Sequence, residues 1–223
     1  MSLRQQLAAL REHLAAEEDD RERAVLQRAI ERVRMLQLAE SGPQCGEPFP
    51  DFEVTRPGGQ VVTSGELLAT APLVVILFRG GWCPYCDLML RAFDRAHDTI
   101  TAAGGHLVAI CPEPWPLLSD IAEEKALRFP VLGDPGGRLA RLCDLQFEMS
   151  DEHVALYQRF GIDIPAHHSA DDWLMPVPAT FILDRNATVL WRFADADWAV
   201  RAEPEAVVAA LCELRPTPPR AGA

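Results

Sequence analysis

Two cysteines separated by two residues, Cys83-Pro84-Tyr85-Cys86, are the residues of this chain best placed for chemistry. An apolar run, Leu73 to Phe78, reads as a buried strand and passes through Arg79-Gly80-Gly81-Trp82 into a helical pattern opening at Cys83. Cys83 is therefore expected at or next to a helix N-terminus, where free backbone N–H groups and the helix dipole favour negative charge. The thiolate is the nucleophilic form of cysteine, and such sites lower the thiol pKa to roughly 3.5–7.5. Pro84 falls in the first turn, where its missing N–H costs nothing. Cys86 follows about one turn later, so its sulfur can reach back to Cys83. One sulfur attacks and the other resolves. The strand-end context places Cys83 toward solvent, and the deeper position of Cys86 predicts the less acidic thiol. Structural zinc needs four ligands. The sequence offers no second CxxC and no HxxxH pair, and His167 and His168 are adjacent, so no metal is expected.

Arg79, Trp82 and Pro178 are candidate supports. Arg79 reads either as positive charge for a low-pKa cysteine or as an ordinary strand end. Trp82 reads as a wall excluding water from one side of the thiolate, and Tyr85 as a substrate contact or a cover of the helix start. Pro178, in Pro176-Val177-Pro178-Ala179-Thr180-Phe181, precedes a strand. It suits a cis-proline whose neighbouring backbone pairs with a thiol or disulfide substrate, or a plain edge-strand proline. Cys45, Cys111, Cys143 and Cys212 read as small apolar residues, although any could serve as an alternative resolving cysteine. His153, His167 and His168 read as a general acid or base or, the preferred reading, as solvated loop histidines.

The elements that must position this motif follow from periodicity. Residues 1–41 form an N-terminal helical extension. Leu3, Leu7, Leu10 and Leu14 recur at helical spacing, and Asp19 or Asp20 can cap a second helix. It reads as a dimerisation arm of a homodimer or, the preferred reading, as a helical pair packed over its own domain. From residue 45 to 214 strand and helix patterns alternate. A short hairpin turns at Pro57-Gly58-Gly59, and strands follow at 73–78, 106–111, 129–132, 181–183 and 189–193. Helices are expected over 83–103, 114–127 and 205–214. That order implies an α/β domain of three layers around a central mixed sheet. Residues 144–177 read as an irregular insert, and long loops of this kind are commonly functional. Residues 215–223, rich in proline, read as a flexible tail.

Composition narrows the function. The 223 residues carry 33 acids against 21 bases, a net charge of −12. This argues against a nucleic-acid binder, which needs a basic face, and against an electrostatic membrane-surface binder. No apolar run is long enough to span a bilayer. The opening MSLRQQLAALREHL lacks the pattern of a signal peptide, so a reducing, cytoplasmic setting is expected.

Trp82-Cys83-Pro84-Tyr85-Cys86, with Val177-Pro178-Ala179-Thr180-Phe181-Ile182-Leu183-Asp184, resembles the thioredoxin superfamily. Adding Gly46-Glu47-Pro48-Phe49-Pro50-Asp51-Phe52, the Phe-Arg-Gly-Gly-Trp-Cys run and Arg201-Ala202-Glu203-Pro204, the pattern is similar to the peroxiredoxin-like branch of the alkyl hydroperoxide reductase/thiol-specific antioxidant family. The resemblance covers roughly residues 45–212. It implies a thioredoxin-like fold, Cys83 as the peroxidatic cysteine and Cys86 as the resolving one. Three positions depart from the family pattern. Gly80 stands where a threonine or serine is usual, Ile76 where a proline is usual, and Pro178 where an arginine is usual; Arg79 is the available substitute for the positive charge. Three functions follow. One is a thiol peroxidase acting on hydrogen peroxide or organic hydroperoxides, with a Cys83 sulfenic acid, Cys86 resolution and a thioredoxin-like protein or small thiol as reductant. Another is a thiol–disulfide oxidoreductase using the same cysteines on a disulfide substrate. The last is a non-enzymatic redox sensor. None of them calls for a cofactor.

Overall fold

The computed structural model describes residues 1–214, the side chains at 120 and 122–124 excepted. Two helices open the chain, α1 (Leu3–Glu17) and α2 (Asp20–Met35). Each starts on a reciprocal cap, Ser2 with Gln5 and Asp19 with Glu22, which satisfies two orphan N–H groups per helix. A β-hairpin of β1 (Glu53–Thr55) and β2 (Val61–Thr63) follows, then α3 (Ser64–Leu68), β3 (Leu73–Leu77), α4 (Pro84–Ala102), β4 (His106–Cys111), α5 (Trp115–Lys125), β5 (Val131–Gly133) and α6 (Arg138–Leu142). After the segment 144–177 come β8 (Ala179–Leu183), β9 (Val189–Ala194) and α9 (Pro204–Leu214).

The seven strands form one mixed sheet in the order β2-β1-β5-β4-β3-β8-β9. β3 is central, parallel to β4 and antiparallel to β8, with Val75 facing Val108 on one side and Phe181 on the other. All five of its residues are buried, as expected of a strand covered on both faces. Alternation sorts them into two layers. Val74, Ile76 and Phe78 pack with Leu90 and Phe93 of α4, Leu3 and Leu7 of α1, and Val207 and Leu211 of α9. Val75 and Leu77 face the opposite layer, with Phe49, Phe181, Phe147, Tyr157 and Met175. The sheet and its two covering layers give the expected three-layer, thioredoxin-like architecture, with the helical extension folded onto it.

The helical extension packs on its own domain, as preferred from the sequence. Arg11 pairs with Asp197, the N–H groups of Leu3 and Arg4 donate to the Glu203 carboxylate, and Arg28 pairs bidentately with Glu152 at 2.8 and 2.7 Å. Residues 144–177 are not irregular, which corrects that expectation. They form a two-stranded ladder of β6 (Gln146–Glu148) and β7 (Leu174–Pro176) closing around α7 (Asp151–Arg159) and α8 (Ile164–His168). Elements of three, nine and five residues carry too few periodic positions to register as a pattern. The flexible tail expected over 215–223 lies outside the described residues. Among the described residues no helix is long and apolar enough to cross a membrane.

Candidate active site

The dithiol forms where β3 ends and α4 begins. Cys83 is the N-cap of α4, with extended backbone (φ −87°, ψ 114°), and Pro84 enters the first turn. The turn before it needs glycine. Gly80 has φ +149°, and a Cβ there would lie 2.5 Å from Trp82 Nε1 and 2.9 Å from Glu113 Oε1. That crowding explains the absence of the family's threonine or serine: no side chain fits at residue 80 while Trp82 and Glu113 hold these places.

Neither sulfur faces solvent. Cys83 is 1% exposed and Cys86 is fully buried, and neither is in a disulfide. The expectation of a solvent-facing Cys83 is therefore corrected: Trp82 and the inserted segment roof over the strand end, where Trp82 meets Tyr157 edge-on at 5.8 Å.

Arg79 is one of two buried cations beside the pair. It is 2% exposed, so the strand-end reading fails and the electrostatic one is supported. Its Nε donates to Met175 Sδ at 3.2 Å and an Nη to the Tyr157 hydroxyl. The guanidinium lies against the rings of Trp82 (4.8 Å), Trp198 (5.2 Å) and Tyr157 (5.6 Å), and such cation–π contacts stabilise a desolvated cation. A second buried arginine, Arg201, points an Nη at Cys86 Sγ, 3.7 Å away. Among the described residues neither arginine makes an ion pair with a carboxylate. A buried charge without a partner costs several kcal/mol. The group able to offset it here is a thiolate.

The acidities follow from that arrangement. Burial opposes ionisation of both thiols. At Cys86 the hydrogen bond from the Cys83 thiol, the charge of Arg201 and then the backbone and charge of Arg79 outweigh burial, and the pKa falls to about 5. At Cys83 burial and the neighbouring Cys86 thiolate push the pKa well up, against the pull of both arginines. The pair as a whole thus favours keeping one proton and one negative charge, with the lowered pKa at Cys86, the sulfur that Arg201 contacts. The expectation that Cys86 is the less acidic sulfur is reversed, because depth in the fold brings it to Arg201.

Pro178 lies between β7 and β8, directly before Ala179, which pairs with Leu77 at the end of β3. It is buried, and among the described residues no peptide bond is cis. The cis-proline expectation is therefore corrected: Val177 N–H donates to Leu145 O at 2.8 Å, and the β6–β7 ladder covers this edge instead of leaving it to a substrate. Tyr85 packs toward Ile30 and Trp198, so it joins α2 to the roof.

The sequence reading passed over several residues of the site. Tyr157, Met175, His153 and His168 all come from the inserted segment, and its density of aromatic, methionine and histidine residues was the available signal. His153 and His168 are buried, not solvated, and burial lowers their pKa values to about 3 and about 4. His168 Nε2 lies 3.2 Å from the Arg79 carbonyl. Glu113, 2% exposed, accepts from Gly81 N–H at 2.8 Å and meets His167 Nδ1 at 3.1 Å, so it pins the glycine turn from the far side. Burial holds its carboxyl above the ordinary range, against the pull of Gly81 and His167. Cys111 lies beside Glu113, with its thiol pushed well up by burial.

Comparison with known proteins gives the context. The chain resembles the peroxidoxin BcpB of Mycobacterium tuberculosis (TM-score 0.61, 19% identity, covering 78% of this chain and 99% of that one). It resembles reduced Prx3 of Vibrio vulnificus in complex with hydrogen peroxide (TM-score 0.62, 16% identity, 75% and 98%), and peroxiredoxin Q of Xanthomonas campestris (TM-score 0.56, 18% identity, 73% and 90%). At these identities the likeness establishes the fold. No curated protein matches the sequence. A model of the AhpC/TSA family matches residues 45–192. With that match over more than half of its length, the chain belongs to the AhpC/TSA family, the peroxiredoxin-like peroxidase oxidoreductases of the thioredoxin superfamily.

Proposed function

We propose that the protein is a thiol-dependent peroxidase in which Cys83 reduces hydrogen peroxide or an organic hydroperoxide and Cys86 resolves the product. The observation that carries this reading is a dithiol flanked by two buried arginines with, among the described residues, no carboxylate paired to either. Such a centre holds a thiolate at neutral pH without metal or cofactor.

The chemistry balances on the residues present. Cys83 passes its proton to the Cys86 thiolate across the contact between the sulfurs and attacks the distal peroxide oxygen. The O–O bond breaks, Cys83 becomes a sulfenic acid, and the alkoxide or hydroxide leaves with the proton from Cys86. The regenerated Cys86 thiolate displaces hydroxide from the sulfenic acid and closes the disulfide. A dithiol carrying one proton and one negative charge thus gives a disulfide, an alcohol or water, and hydroxide. A thioredoxin-like protein or a small thiol restores the dithiol by exchange. Free thiols suit a reducing, cytoplasmic compartment.

Burial favours peroxide over a protein disulfide as the oxidant. Cys83 is 1% exposed beneath Trp82 and Tyr157, and a peroxide reaches it through a smaller opening of that roof than any protein partner, disulfide substrate or thioredoxin-like reductant, requires. The test is consumption of hydrogen peroxide and cumene hydroperoxide coupled to thioredoxin and its reductase, and separately to glutathione. Turnover by the wild type above a Cys83→Ser control is expected. Absence of that difference with every reductant overturns the peroxidase, and efficient insulin reduction in its place would establish the oxidoreductase reading.

A further inference from the structure

Arg201 opens the Arg201-Ala202-Glu203-Pro204 run, beyond the residues 45–192 that the family model matches, in the segment between β9 and α9. The residue is 7% exposed, and its Nε is buried without a partner. Its polar contacts are the Val200 carbonyl at 3.5 Å and Cys86 Sγ at 3.7 Å. The acids next to it in sequence are turned elsewhere. Asp197 binds Arg11 and accepts from Ala199 N–H, and Glu203 accepts from the N–H groups of Leu3 and Arg4. The other titratable groups beside Cys86 are Cys83, Arg79, Cys111 and Tyr157. None but Arg79 carries positive charge, and Arg79 is engaged by Tyr157 and Met175. Among the described residues the dithiol is therefore the group that can match the charge of Arg201, and Cys86 is the sulfur it contacts.

We infer that Arg201 is a positioning residue for the reductive half of the cycle: it holds Cys86 as the leaving thiolate when a reductant opens the Cys83–Cys86 disulfide. This rests on the dithiol reading above. A reductant thiolate attacks Cys83 Sγ, a new S–S bond forms there, the Cys83–Cys86 bond breaks, and its electron pair departs on Cys86 Sγ beside Arg201. A second reductant thiol then releases Cys83. In the disulfide the charge on Cys86 is gone and Arg201 is left buried without a counter-charge, so the same contact that hastens opening also raises the reduction potential. Stabilising the reduced form makes a dithiol pair more oxidising, and a leaving thiol of lower pKa departs faster.

The test uses the full chain without peroxide. Wild type, Arg201→Gln and Arg201→Lys are equilibrated in glutathione redox buffers, and the rate of disulfide opening by dithiothreitol is followed by stopped flow. Arg201→Gln is expected to shift the equilibrium toward the disulfide about tenfold, equivalent to about 30 mV more negative, and to slow opening about tenfold. Arg201→Lys should recover most of both. A merely structural role would leave the equilibrium constant where it is. An unchanged constant in Arg201→Gln, or a lysine variant no better than the glutamine one, overturns the inference. Because no peroxide is present, this outcome is separate from the peroxidase assay: either can fail while the other stands.

Discussion

Cys86 and Cys143 are equally buried, each with no exposed surface, yet they sit at opposite ends of the thiol scale. Cys143 closes α6. Burial pushes its thiol to about 12, the nearby Asp134 and Asp144 push the same way, and Arg192 pulls weakly back. Arg192 has other work, donating to the carbonyls of Ala39 at 2.6 Å and Ser41 at 3.0 Å, which ties the extension to β9. Cys86 suffers the same desolvation and still falls to about 5. Depth in the core therefore does not decide whether a cysteine of this chain is reactive. What separates them is that a guanidinium contacts Cys86 Sγ, at 3.7 Å from Arg201, whereas that of Arg192 is taken up by backbone carbonyls.

The largest effect that can break this comparison is removal of Cys86. In Cys86→Ser, steady-state peroxide turnover should fall at least about 100-fold, because no neighbouring sulfur traps the oxidised one. One equivalent of peroxide should still be consumed per chain, leaving a Cys83 sulfenic acid that dimedone labels and mass spectrometry locates. A sulfenic acid found instead on Cys86 of a Cys83→Ser variant, with none on Cys83 of the first, would exchange the two roles.

Next in size is the loss of Arg79. A cation within about 4–6 Å lowers a thiol pKa by roughly 1–3 units, so Arg79→Gln should raise the pH at which the thiolate forms from about 5 toward neutrality. The sign is fixed: the thiolate is lost as pH falls through the folded pKa, so raising that pKa costs activity on the acid side. Thiol alkylation and peroxide reduction in the wild type should be flat between about pH 6 and 8, whereas the variant should lose about tenfold over that range. A flat variant would mean that Arg201 alone holds the charge.

These two residues also show how far the sequence could be read. Cys83 and Cys86 were legible because strand, glycine turn and helix start are local patterns, and the CxxC spacing announces its own contact. Most strands of the sheet and the helices flanking the dithiol were legible for the same reason: β3 and β4 are continuous apolar runs and α4 repeats at helical period. What could not be read was non-local. Arg201 reaches Cys86 across 115 residues, and Arg79 could be called buried only after Tyr157, Met175 and Trp198 closed over it. The inserted segment looked irregular because β6 and β7 make sense only as each other's partner. The relative acidity of the two cysteines was misjudged for a related reason: helix position predicts a dipole, while Arg201 supplies a full charge.

A smaller effect should appear in stability, where the same surroundings act on a base. His153 is 1% exposed, stacked between Phe147 and Trp198, and burial, helped by the charge of Arg79, lowers its pKa to about 3. Between about 6.5 and 3 the unfolded chain binds a proton that the folded one refuses, so stability falls as the solution is acidified. At pH 5 the cost relative to neutral solution is about 2 kcal/mol, at 1.36 kcal/mol per pH unit. Urea unfolding of wild type and His153→Leu at pH 7 and pH 5 isolates this contribution, since every other titrating group is common to both. The stability of the wild type relative to the variant should drop by about 2 kcal/mol on going from pH 7 to pH 5. An identical pH dependence would mean that His153 is protonated in the folded protein.

The smallest effect is expected at the other member of the opening pair. Cys143→Ala removes one buried sulfur and leaves a small void beside Leu139 and Leu145, whose burial is complete or nearly so. The cost in stability should be about 1 kcal/mol, on the scale of a deleted methylene in a packed core. Peroxide turnover should stay within about twofold of the wild type, as for core substitutions remote from a site. The measurement has force because Cys143 is as deep as Cys86 and chemically identical to it. If turnover collapsed, or if mass spectrometry of the peroxide-oxidised wild type showed Cys83 bonded to Cys143, burial without a cation would have proved compatible with resolution. The arginines would then answer only for the first attack.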